Sequence, residues 1–84
     1  MSDDHKLIRE RERGAKAQQI LGNEIFQDVW SAMDANLTAA MTSPSATDEA
    51  VLEARRGLII LRRVKAEVER VLKTGEMAAI QLGK

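Results

Sequence analysis

Apolar residues recur along the second half of the chain with the period of a helix. Ala54, Gly57, Leu61, Val64, Val68 and Val71 follow one another at steps of three, four, three, four and three. That alternation keeps one stripe facing a partner helix. It predicts a long helix over 46–74, opened by an S-x-x-D start at Ser45 and Asp48 just after Pro44 and stopped at Thr74-Gly75. A second stripe runs through Phe26, Trp30, Met33, Leu37 and Ala40 or Met41, with Ile25 and Val29 widening it. It predicts a helix over 23–42, with Asn23 as N-cap and Ser43-Pro44 as the stop. Only a few residues, Ser43 to Ala46, join the two, so they are expected to fold back antiparallel as a helical hairpin. Phe26 and Trp30, one turn apart, are then expected near Val68, Val71 and Leu72.

A further helix is expected over 3–21, capped by Ser2, Asp3 or Asp4 and closed by Gly22 as a left-handed C-terminal residue. Its apolar content, Leu7, Ile8, Ala15, Ala17, Ile20 and Leu21, is thin. The run Arg9-Glu10-Arg11-Glu12-Arg13 reads as a solvated face, and Gly14 costs up to about 1 kcal/mol against alanine. This arm is expected to fray unless a partner holds it. Gly57 has two readings, a close approach of another helix or a tolerated weak spot. Residues 76–84, with Met77 and Ile80, read either as two turns of amphipathic helix or as a mobile docking tail. The fold class is therefore all-α: an antiparallel hairpin (23–42 and 46–74) preceded by a charged helix and followed by a short tail, in one small domain over 1–84.

Composition narrows the classes without naming a function. At 84 residues and 44% apolar, with Phe26 and Trp30 the sole aromatics, the chain can build one small aliphatic core. That is the size at which partners often complete a fold. The absence of cysteine excludes disulfides and thiolate metal sites and fits a reducing compartment. No apolar run approaches the roughly 20 residues of a membrane span, and Met-Ser-Asp-Asp-His-Lys is too polar for a signal peptide, so a soluble cytoplasmic product is expected. Net charge is zero but sorted: 23–50 holds Glu24, Asp28, Asp34, Asp48 and Glu49 with no base, whereas the later segment is rich in arginine. Acidic and basic blocks of this kind are natural neighbours.

The chemistry-bearing residues assemble no reaction centre. His5 stands alone near the N-terminus, and the pairs Glu67/Glu69 and Asp48/Glu49 do not share a helix face. All five glycines are isolated, which leaves no phosphate loop, and no serine has a histidine beside it in a triad-forming scaffold. A non-enzyme is expected, with no cofactor, no metal, no membrane and no small-molecule substrate. The candidate interface is the seam itself: Phe26, Trp30, Met33, Leu37, Ala54, Gly57, Leu61, Val64, Val68 and Val71. Candidate electrostatic contacts are Arg55, Arg56, Arg62, Arg63 and Arg70, whose seven-residue spacing lines the edges of that seam. Such a stripe could grip nucleic acid, but a pI near 6.6 and the acids of the preceding helix favour a role around a protein interface.

The order Arg13-Gly14, Ala17, Ile20-Leu21, Asn23, Phe26, the Ser/Thr-Pro turn, Asp48, Arg55 or Arg56, Leu58, Leu61, Val64, Lys65, Glu69, Val71, Thr74-Gly75, Ala78 and Leu82 resembles a family of small helical proteins. These come from the structural gene clusters of tailed bacteriophages and prophages. The likeness spans roughly residues 9–82. Members often carry a bulky aromatic late in the second helix, where this chain has Ala39-Ala40-Met41 and places its Trp at 30. The resemblance implies a non-catalytic virion-associated or assembly protein, made in the host cytoplasm, that packs against sister copies or a larger structural protein. The alternatives are a small DNA-associated packaging or regulatory factor using the basic helix face, and an adaptor that neutralises a toxin or acts as a chaperone.

Overall fold

A computed structural model describes residues 2–83, with side chains from Asp4 onward, so the candidate caps Ser2 and Asp3 lie outside the described side chains. The described residues form three helices, α1 (Ser2–Leu21), α2 (Glu24–Thr42) and α3 (Asp48–Leu82), and no strand. The fold is all-α, as the periodicity requires. None of the helices is long and apolar enough to cross a membrane.

Helix ends show how the local sequence sets the boundaries. Between Ser43 and Ala46 the Ala46 N–H donates to the Ser43 carbonyl at 3.2 Å. Pro44 takes the second position of this turn, where its fixed φ is already suited. The cap of α3 is Thr47 rather than Ser45 or Asp48: its Oγ1 accepts from the Ala50 N–H at 3.1 Å. Asp48 and Glu49 instead occupy the first turn, where the helix dipole favours acids. Between α1 and α2, Gly22 donates to Gln18 at 2.9 Å and Asn23 to Ile20 at 3.1 Å. No described residue has a positive φ, so Gly22 does not act as a left-handed cap. Nor does Thr74-Gly75 stop α3. The helix runs on to Leu82, and residues 76–82 are its last two turns rather than a tail.

The chain divides into two compact units. The first comprises Met1–Asn23 and Ala66–Lys84, and pairs α1 antiparallel with the C-terminal part of α3. Its closest contact is between two glycines. A Cβ on Gly14 would lie 2.7 Å from the Gly75 Cα, and one on Gly75 would lie 2.6 Å from the Gly14 Cα and 2.9 Å from the Glu10 carbonyl oxygen. Ala17 and Ala78 flank the crossing at 4% and 1% exposure. The α1 face that turns inward is Leu7, Glu10, Gly14, Ala17 and Leu21, a three-four repeat with a small residue at its centre. In this packing α1 has a partner within the chain, the C-terminal part of α3. Gly14, expected to weaken α1, is the residue that lets it dock.

The second unit, Glu24–Lys65, pairs α2 antiparallel with the N-terminal part of α3. Ala54 and Leu58 are buried, while Phe26, Trp30, Leu37, Met41, Val51 and Leu61 are half-buried. Two of the expected seam residues lie outside it: Met33 is 47% exposed and Val64 53%. Their places are taken by Asp34 and Lys65, which are half-buried. A three-four repeat admits two phasings, and the observed one in α3 is Ala54, Leu58, Leu61 and Lys65 rather than Ala54, Gly57, Leu61 and Val64. Both phasings share Ala54 and Leu61, and Gly57 remains at the seam's edge with its backbone half-buried under Leu37.

Candidate functional site

Trp30 explains why a lysine sits in the seam. Its indole Nε1–H donates to the Leu61 carbonyl at 3.2 Å, and the Lys65 Nζ lies over its ring at 4.1 Å from the centroid. The lysine stem thus covers apolar surface while its ammonium meets the face of the indole, a contact worth about 0.5–2 kcal/mol depending on desolvation. Trp30 therefore meets the Leu61–Lys65 turn, one to two turns short of the expected Val68, Val71 and Leu72. Asp34 is resolved in the same way: its Oδ2 accepts from the Arg62 Nε at 3.0 Å. Because Arg62 is largely in water, this pair contributes at most about 1 kcal/mol.

These contacts define the two flanks of the second unit. Asp34 and Arg62 meet across one of them. On each helix the residues on the opposite side of the seam must share the other flank, and they are Ile25, Val29 and Met33 on α2 with Ile60 and Val64 on α3. All five are exposed, between 47% and 68%. The Asp34–Arg62 side is ion-paired, and Leu52 and Ile59 of α3 are exposed on it as well. The other exposes Val29, Met33, Ile60 and Val64, with Glu53 on the same stripe of α3, and Met33 and Val64, placed in the seam by the sequence pattern, belong to it.

Comparison with family models, curated proteins and solved structures yields no match. The reading of this chain therefore rests on its residues.

Of the other seam residues expected from sequence, Val68 and Val71 are half-buried in the first unit, on the part of α3 that faces α1. The five arginines are all exposed. Arg62 is held by Asp34, and Arg70 donates to the Glu67 Oε2 at 3.1 Å within its own helix. Arg55, Arg56 and Arg63 project into solvent. Among the described residues no three His, Cys, Asp or Glu side chains gather to hold a metal ion. The recess lined by Glu10, Arg13, Arg70, Val71 and Thr74 in the first unit is an open groove. The residues that sequence reasoning missed are Gly14 and Gly75 as a helix crossing, Leu58 as the most buried large side chain of the second unit, and Lys65 and Asp34 as seam members. A paired glycine was the available signal, because each lies on the inward face of its own helix.

Proposed function

We propose that this chain is a non-catalytic helix-packing module, acting by burying an apolar helix face against another protein surface. The observation that carries this reading is the uncovered flank of Val29, Met33, Ile60 and Val64. In a small domain whose buried hydrophobic residues, among those described, are Ala17, Ala54, Leu58 and Ala78, a cluster of exposed large apolar residues is the property of an interaction site. The setting we propose, a tailed-phage particle or its assembly pathway, is supported by the resemblance of residues 9–82. Trp30 and Phe26 are then seam anchors that hold the hairpin rigid beneath the interface.

Light scattering of the purified chain, alone and mixed with the products of neighbouring genes, tests the reading. It predicts either a mass above 9.3 kDa for the chain alone or a stoichiometric complex in the mixture. A single 9.3 kDa species under both conditions would overturn it. The competing reading, a DNA-associated factor, draws support from Arg55, Arg56 and Arg63 in solvent on one helix. It requires duplex affinity that falls steeply with salt, and the interface reading predicts no such binding at low salt.

A further inference from the structure

We propose that the outer face of α3 is a docking ridge for an acidic amphipathic helix of another protein. α3 carries two stripes at steps of seven. Ala54, Leu61, Val68, Gly75 and Leu82 form the first, and every one is buried or half-buried, the first two in the second unit and the other three in the first. Leu52, Ile59, Ala66, Lys73 and Ile80 form the other, two positions earlier and so about 160° away around the helix. Every one of these is exposed, with Leu52, Ile59 and Ile80 between 46% and 64%. Lys73, the polar member, has a stem that lies along apolar surface while its ammonium stays in water. A seven-residue repeat drifts around the helix in the left-handed sense, which lets a second helix follow it over several turns. The ridge is apart from the flank of Val29, Met33, Ile60 and Val64, so the inference goes beyond the reading above.

The borders of the ridge name the partner's chemistry. Four residues beyond the stripe members, one border reads Arg56, Arg63 and Arg70, with Glu49 before them and Met77 after. Three residues beyond them, the other reads Arg55 and Arg62, with Asp48 before and Glu69 and Glu76 after. Arg62 and Arg70 already meet Asp34 and Glu67, whereas Arg55, Arg56 and Arg63 make no ion pair among the described residues. A helix with Glu or Asp along its borders supplies the missing charge. A second copy does not. Laid ridge to ridge antiparallel, it sets Arg56, Arg63 and Arg70 against the same three residues, and laid parallel it sets Arg56 and Arg63 against Arg55 and Arg62. A phosphate backbone would meet the arginines but would leave Leu52, Ile59 and Ile80 against an ionic surface, and an apolar helix seam covers them instead.

The test uses the full chain and a designed probe, a helical peptide of about four heptads with leucine along its seam and glutamate along both borders, which keeps it from pairing with itself. Its control is the same peptide with lysine at the borders. Fluorescence anisotropy at about 0.1 M salt is expected to show the glutamate peptide bound with a micromolar dissociation constant and the lysine peptide bound at least about tenfold more weakly. Ile59→Glu is expected to raise the dissociation constant of the glutamate peptide at least about tenfold. Arg56→Glu combined with Arg63→Glu is expected to reverse the preference between the peptides. All three positions are exposed, so these variants keep the fold. Equal affinity for the two peptides, or binding indifferent to Ile59→Glu and to the double reversal, would overturn the proposal. A DNA duplex bound more tightly than the glutamate peptide at the same salt would overturn it too, by assigning the arginines to phosphate. Binding of neither peptide would overturn it and leave the helix-packing reading to its own light-scattering test, since that reading stands on the other flank.

Discussion

The two units of this chain use the same long helix in opposite ways. In the first, α1 and α3 meet backbone to backbone at Gly14 and Gly75, with Ala17 and Ala78 buried beside them. In the second, α2 and α3 interlock through large side chains, Trp30, Leu37, Leu58 and Leu61, with a cation on the indole and an ion pair at the edge. Close backbone packing leaves no room for any added atom, whereas side-chain interlocking has rotamers with which to adjust. The first unit should therefore respond to substitution abruptly, and the second by degrees.

Gly75→Leu carries the largest expected effect. Even a Cβ there would meet the Gly14 backbone, which no rotamer relieves, so the variant is expected to lose about 3 kcal/mol and release α1. Hydrogen exchange would show it as loss of amide protection across α1 while the amides of α2 stay protected. Protection retained in α1 would mean that the glycines are not the contact. In the second unit Leu58→Ala is expected to cost about 2–3 kcal/mol, and Ile59→Ala, one residue away but exposed, less than about 0.5. Urea denaturation of the pair measures the difference, and equal losses would refute the observed phasing.

Most of the architecture can be read in the sequence because it depends on local signals. The helix of 24–42, the Ser43-Pro44 turn and the antiparallel return follow from capping residues and periodicity, and each is found within a residue or two of where those signals put it. What could not be read this way depends on which residues meet across the seam. Lys65 and Asp34 fall outside the apolar pattern because charge is the usual mark of solvent, and only the presence of Trp30 and Arg62 opposite them makes their partial burial favourable. Met33 and Val64 fit the apolar pattern and yet lie outside the seam, for the complementary reason that apolarity is only the usual mark of the core. Gly75 read as a helix stop because a glycine after Thr is a frequent C-terminal signal. Its real partner is Gly14, sixty-one positions earlier, and no local window contains both.

Smaller effects separate the seam's components. Trp30→Phe keeps most of the buried ring but removes the indole N–H and weakens the site under Lys65, for an expected loss of about 1–2 kcal/mol in thermal or chemical denaturation. Gly57→Ala is expected to be the mildest and to go the other way. The new methyl would lie 3.2 Å from Leu37 Cδ2, the end of a flexible side chain, while the helix gains up to about 1 kcal/mol of propensity. A net stabilisation of about 0.5 kcal/mol would contrast directly with the collapse expected at Gly75. A loss as large as that of Gly75→Leu would show that both units are equally intolerant.

The phasing of α3 against α2 underlies both the covered seam and the exposed flank, and nuclear Overhauser contacts from the Trp30 indole N–H proton report on it most directly. The expected spectrum shows cross-peaks to Leu61 and to the side-chain methylenes of Lys65, with none to the Val64 methyls of the same molecule. Strong cross-peaks to Val64 and Val68, with Lys65 silent, would return Val64 to the seam and contradict the account.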